Sequence, residues 1–182
     1  MIKNPFDLIS YEEILWEIKP DIIIEIGSAH GGFALWLADR MKNINLHAKI
    51  VSVDLEDNAK KNLAAFKLKN IVCLVGDCNS QRIVDDIKSI IKPKDSVLLI
   101  EDSSHTYSNT LAVLNNYKEI VSIHSYLIIE DGICDVLHIG DIPGPMKAVE
   151  DWIEKNPNYQ IDREQEKYIM TYNPKGYLKR IS

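Results

Sequence analysis

Apolar and polar positions alternate in blocks along the chain. Apolar runs at 22–26, 50–53, 71–75, 97–100 and 126–129, interrupted only by Glu25 and Ser52, have the length and composition of strands buried on both faces of a parallel sheet. Between them lie stretches of helical spacing at 33–41, 58–68, 80–91 and 110–121, with Asp57 placed to cap the second and Pro93 to stop the third. Upstream, Ser10-Tyr11-Glu12-Glu13 reads as a capping box opening a helix through Ile14, Leu15 and Ile18, which Lys19-Pro20 ends. Five strands alternating with helices predict one α/β domain over 1–182: a doubly wound, mostly parallel, Rossmann-like sheet with right-handed crossovers.

The tail breaks the alternation. Gly144-Pro145 opens a helix at 146–154, with proline at a tolerated first-turn position. Segments 159–162 and 168–172 then read as two strands joined by the polar residues 163–167, an antiparallel hairpin rather than another crossover. A doubly wound sheet ending in such a hairpin is characteristic of class I methyltransferases.

Bulk composition narrows the partners. No apolar run among the 182 residues approaches the ~18 that a membrane span needs. Met1-Ile2-Lys3-Asn4-Pro5 lacks the features of a signal peptide, so a cytoplasmic location is expected, without a membrane partner. A net charge of −6 argues against nucleic acid, and Lys60, Lys61, Lys67 and Lys69 read as a solvated helix face. The three cysteines, Cys73, Cys78 and Cys134, include no C-x-x-C pair and read as reduced thiols, so zinc is not expected.

The first strand runs into Glu25-Ile26-Gly27-Ser28-Ala29-His30-Gly31-Gly32, where glycines let a nucleotide approach the backbone at a helix N-terminus. Ala29 spoils the G-x-G-x-x-G pattern of a dinucleotide site, and an acid at Glu25 suits a cationic ligand better than a pyrophosphate. S-adenosylmethionine (SAM) is such a ligand. Asp54, after the second strand, is placed for its ribose hydroxyls and Asp77, after the third, for its adenine. Either acid could also be a polar residue where a strand meets solvent.

The fourth and fifth strands end in Glu101-Asp102-Ser103-Ser104-His105 and Glu130-Asp131-Gly132. If those strands are neighbours, Asp102, Glu130 and Asp131 converge as hard oxygen ligands suited to Mg²⁺ or another divalent cation. A cation there would assist deprotonation of a substrate hydroxyl. His105 is a candidate general base, since imidazole titrates near physiological pH, or else it caps the following helix. His30 is a candidate for the cofactor pocket, and His47, His124 and His138 are weaker candidates. The connection at 133–143 reads as a lid or a surface loop.

Taken together, the glycine loop, Gly76-Asp77-Cys78, Asp102-Ser103-Ser104-His105-Thr106-Tyr107 and Tyr126-Leu127-Ile128-Ile129-Glu130-Asp131 resemble the cephalosporin hydroxylase/rhamnosyl O-methyltransferase family. Pro143-Gly144-Pro145 and Thr171-Tyr172-Asn173-Pro174-Lys175-Gly176-Tyr177-Leu178 match its tail. The resemblance implies a SAM-dependent O-methyltransferase with Mg²⁺ on Asp102, Glu130 and Asp131 and a catalytic His105. Glu25, Gly27, Ser28, His30, Gly32, Asp54, Asp77 and Asp102 are the residues expected to hold SAM. The expected substrate is a small-molecule hydroxyl, with sugars the leading class, and a homo-oligomer is expected. Larger members carry additional N-terminal sequence, whereas about 20 residues precede the first strand here. The acceptor site is therefore expected from 133–143, the N-terminal helix or a neighbouring subunit. The chief rival is a non-catalytic SAM-binding subunit, which would not need the acid–histidine constellation.

Overall fold

The computed structural model describes residues 3–182; Met1 and Ile2, which open the stretch read against a signal peptide, lie outside it. Helix α1 (Pro5–Ile18) starts earlier than the capping box implied. Asn4 is the cap, its side chain accepting from the Phe6 amide at 3.1 Å, and Pro5 occupies the first turn. Ser10 is instead buried within the helix and donates to the Gln165 carbonyl at 2.7 Å. Asn-Pro is itself a start signal, and it lies upstream of the first apolar repeat.

Then follow β1 (Ile22–Ile26), α2 (Gly32–Ile44), β2 (Lys49–Asp54), α3 (Asn58–Ala64), β3 (Ile71–Val75), α4 (Gln81–Ile90), β4 (Val97–Glu101), α5 (Tyr107–Tyr117) and β5 (Tyr126–Ile129). The chain continues through α6 (Ile133–Leu137), α7 (Pro145–Ile153), β6 (Tyr159–Ile161), a 3₁₀ turn (Arg163–Glu166) and β7 (Tyr177–Arg180). The sheet order is β3-β2-β1-β4-β5-β7-β6, with β1 to β5 parallel and β7 antiparallel to both neighbours.

The tail does end in antiparallel strands, but the second is β7, not 168–172. Tyr177 and Leu178 are buried beside β5, whereas Ile169 is 88% exposed. Segment 168–172 instead wraps over α1: Met170 accepts from Asn4, and Asp7 accepts from Thr171 Oγ1 at 2.5 Å and from the Tyr172 amide at 2.8 Å. Helix α3 ends at Ala64 rather than Leu68; Asp57 does hold its N-cap position, though its side chain pairs with Lys61 at 2.7 Å instead of accepting from an amide of the first turn.

Two apolar layers sandwich the sheet. Ile22, Ile24 and Ile26 face α4, α5 and α7 through Ile83, Leu114 and Trp152. Ile23 faces α1, α2 and α3 through Leu15, Leu37 and Leu63. Each fully buried aliphatic side chain contributes about 1.5–3 kcal/mol, so both layers hold the strands rigidly beneath their C-terminal ends. The cysteines are unpaired, and no helix among the described residues is long and apolar enough to cross a membrane.

Candidate active site

The parallel strands end along one edge, and β1 lies between β2 and β4, the point where strand order reverses. Ligands bind at such a switch point. Gly27 follows β1 with φ 93°, and a Cβ there would lie 1.9 Å from the Asp102 carbonyl oxygen. Only glycine fits. The approach is held by the Asp102 amide donating to the Ile26 carbonyl at 2.8 Å and the Gly27 amide donating to Val53 at 2.9 Å.

A cavity of about 280 Å³ opens there, lined by Gly27, Ala29, Asp54, Asp77, Asp102 and Asn109 among others. Asp54 organises its rim, accepting from the Ala29 amide at 2.7 Å and the Glu56 amide at 3.1 Å. Four expected cofactor residues, Gly27, Asp54, Asp77 and Asp102, therefore line one space. Ser28, His30, Gly32 and Glu25 are not among the lining residues: Ser28 is buried, His30 is exposed and Gly32 opens α2. Glu25 sits in the sheet beneath, its carboxylate accepting from Ser52 Oγ at 2.5 Å on the paired strand. Burial pushes its pKa up to about 7, against the lowering effect of the Ser52 hydrogen bond and of Lys3.

Strands β4 and β5 are neighbours, with Glu101 opposite Ile129 and the Glu130 amide donating to the Glu101 carbonyl at 2.9 Å. This sets Asp102 and Glu130 side by side. His105 Nε2 lies 3.8 Å from Asp102 Oδ1 and 3.4 Å from Asp131 Oδ2. One ligand atom from each of Asp102, His105 and Asp131 falls within 4.8 Å of the others. His105 and Asp131 both adopt left-handed backbone, at φ 52° and 57°. Asp131 is held there by Asn173, whose Oδ1 accepts from its amide at 3.1 Å. Thr106, not His105, caps α5, so the imidazole is free for the cluster, and its Nδ1 is buried without a hydrogen-bond partner.

Glu130 turns away from that cluster. Its Oε1 accepts from Tyr11 at 2.7 Å and lies 2.5 Å from the Lys3 ammonium, which also pairs with Asp102. Burial and the neighbouring Asp102 charge push Glu130 up to about 8, despite Lys3 and Tyr11. Burial likewise raises Asp102, offset in part by Lys3. Lys3 itself is held above the ordinary lysine value: burial lowers it, but Glu130 and Asp102 outweigh burial.

Sequence reading missed three contributors. No motif ties Lys3 or Tyr11 to the acids. Glu101 is fully buried, pointing opposite to Asp102 as strand alternation demands, and it accepts from the Ser103 amide at 3.2 Å, Ser103 Oγ and Asn109. Asn79 and Asn116 extend that network across α5. Alternation through Glu101-Asp102 was the available signal.

A seven-stranded sheet in this order, with its acids gathered at the ends of β2, β3, β4 and β5, defines a class I methyltransferase fold. Comparison with known proteins narrows the class. Residues 1–181 match the family described as Rhamnosyl O-methyltransferase/CmcI, and the chain belongs to that family. A rhamnosyl O-methyltransferase of Mycobacterium bovis (strain BCG / Pasteur 1173P2) is 30% identical over 185 residues, covering 98% of this chain and 74% of the relative. The apo structure of CmcI-N160 superposes with a TM-score of 0.79 at 22% identity, over 100% of this chain and 73% of that one. CmcI-D160 with Mg and SAM gives 0.75 at 20% identity, over 100% and 74%.

Proposed function

We propose that the protein is a SAM-dependent O-methyltransferase, assisted by a divalent cation and acting on a sugar hydroxyl. The observation that carries this reading is that Asp102 belongs to two assemblies at once. It lines the cavity beside Gly27, Asp54 and Asp77, and it faces His105 and Asp131 in the acid–histidine cluster. A cofactor methyl and a hydroxyl proton would thus be handled on either side of one residue. The relatives named for rhamnosyl methylation and the Mg–SAM form of CmcI support the choice of acceptor and cation.

The residues suit both groups. Asp54 and Asp77 both line the cavity, Asp54 for a ribose diol and Asp77 for the adenine. Ionised Glu25, in the floor beneath Gly27, would favour a cationic ligand above it. Ser28, His30 and Gly32 would then shape the loop rather than touch the cofactor. Asp102, Asp131 and, once released from Lys3, Glu130 supply an all-oxygen set appropriate to Mg²⁺. The chemistry such an ion supplies when bound is stabilisation of a hydroxyl oxygen as it loses its proton.

The remaining work falls to the chain. SAM, when bound, would supply a methyl group whose bonding pair stays with the departing sulfur, and His105 would take the proton released by the hydroxyl as the methyl–oxygen bond forms. Asp131, 3.4 Å from His105 Nε2, favours the imidazolium that results. Asn173 and the Glu101–Ser103–Asn109 network fix the two strand ends so that little reorganises during transfer. Segment 133–143 and α1 would receive the acceptor.

The test is transfer of labelled methyl from SAM to a panel of rhamnosides, with Mg²⁺ and with a chelator. Turnover should require the cation. His105→Ala should lower it by ~10²–10⁴-fold while SAM affinity is retained. SAM binding with no turnover on any hydroxyl would favour the non-catalytic subunit.

A further inference from the structure

Lys3 is the cluster member that the methyl-transfer chemistry leaves unused. Its side chain is only 5% exposed, although lysine is rarely buried. The ammonium lies over the Phe33 ring at 4.5 Å from the centroid and pairs with both Asp102 Oδ2 and Glu130 Oε1. Those oxygens come from adjacent strand ends, and they belong to two of the three residues assigned above to the divalent ion.

We propose that the Lys3 ammonium is a protein-borne cation standing in the divalent site, so that Lys3 and the metal occupy the Asp102–Glu130 pair in turn and never together. The proposal rests on the metal assignment of the preceding section and names a competitor within that same site.

Three observations support exclusion over coexistence. An ammonium at 2.5 Å from Glu130 Oε1 leaves no room for a second cation on that oxygen, because Mg²⁺ demands oxygens at about 2.0–2.1 Å. Glu130 Oε1 is already shared with Tyr11, and the Glu130 side chain is 95% covered, so it has no alternative solvent-facing pose. Phe33 also holds the ammonium, its ring centroid 4.5 Å away, so the carboxylate pair is a seat already built for one cation.

Exchange is also mechanically simple. Asn4 caps α1 through the Phe6 amide and holds the Met170 carbonyl at 3.1 Å, so the helix start is anchored one residue beyond Lys3. Release therefore needs only the lysine side chain to swing out, with α1 left in place. The metal-free protein then keeps its acids paired and folded, and the divalent ion must displace an internal rival before the site is complete.

The experiment uses the full chain and Mn²⁺ as probe. Binding is titrated for wild type, Lys3→Met and Lys3→Arg, and in parallel the reactivity of Lys3 toward an amine-acetylating reagent is followed by mass spectrometry. Lys3→Met should bind Mn²⁺ at least about ten-fold more tightly, and Lys3→Arg should not. In unmodified protein, Lys3 should be protected without metal and should approach the reactivity of exposed Lys60 and Lys61 as Mn²⁺ saturates. That arm is independent of whether any variant folds. Mn²⁺ binding with Lys3 still protected would overturn the exclusion and leave the metal assignment standing. Failure of wild type and Lys3→Met alike to bind Mn²⁺, with SAM still bound, would overturn both.

Discussion

Glu25 offers a sharp quantitative test, because it is fully buried and, among the described residues, its side chain accepts only from the Ser52 hydroxyl. Its carboxyl is pushed from an ordinary value of 4.5 up to about 7. The native state therefore keeps the proton to higher pH than the unfolded chain does. Stability falls as pH rises from the unfolded value through the native one, and then levels off. At 1.36 kcal/mol for each tenfold change, the full loss from this residue is about 3 kcal/mol, of which about 2.5 kcal/mol accrues between pH 5 and 8. Glu25→Gln keeps the shape and the bond to Ser52 but cannot ionise. Urea unfolding of both proteins at pH 5 and pH 8 should show the variant gaining roughly 2.5 kcal/mol on wild type across that interval. Other titrating groups cancel in the difference. Saturating SAM should narrow the gap at pH 8, since a cationic ligand above the floor favours the ionised carboxyl. Parallel pH profiles without ligand would refute the reasoning, for they would mean that Glu25 is ionised in the native state at little cost.

Gly27→Ala should fail more bluntly: with φ 93° and a new Cβ 1.9 Å from the Asp102 carbonyl, β1 and β4 must separate at their ends. A loss of roughly 3 kcal/mol or more in thermal unfolding is expected, together with loss of SAM binding by calorimetry. Asp135 on α6 does the capping that Gly144 cannot, accepting from the amides of Gly144 at 2.6 Å and Met146 at 2.8 Å at the start of α7. Asp135→Ala should cost about 1–2 kcal/mol. It should also speed amide hydrogen exchange across 138–143 with little effect on the β-strands, and uniform exchange throughout would contradict that role.

Much of this architecture was legible in the chain. The apolar runs at 97–100 and 126–129 fall within β4 and β5, whose residues are all buried, because a strand buried on both faces needs an uninterrupted apolar stretch wherever it sits. Acids at strand ends were legible for the same reason: parallel strands alternating with helices deliver their C-termini to one edge. That Asp102 and Glu130 would be neighbours followed once β4 and β5 were taken to pair. Local pattern misled where a residue's partner is remote. Ser10 resembles a cap, yet the helix starts upstream and Ser10 serves Gln165. Segment 168–172 has strand composition, but its hydrogen bonds go to Asn4 and Asp7 while β7 takes the place beside β5.

The particular carboxylate each cation meets was decided in three dimensions alone. Lys3 reaches Asp102 across 99 positions of sequence, and nothing in the residues around it marks that destination. Glu130 faces Lys3 and Tyr11 rather than His105 because packing of α1 against the sheet brings both to its side. Glu25 lies below the cavity instead of in it because side chains alternate along β1 and its turn points inward. Periodicity is a local property and determines which faces are buried. Which charges must share that burial depends on how distant elements dock, and so only the tertiary structure decides it.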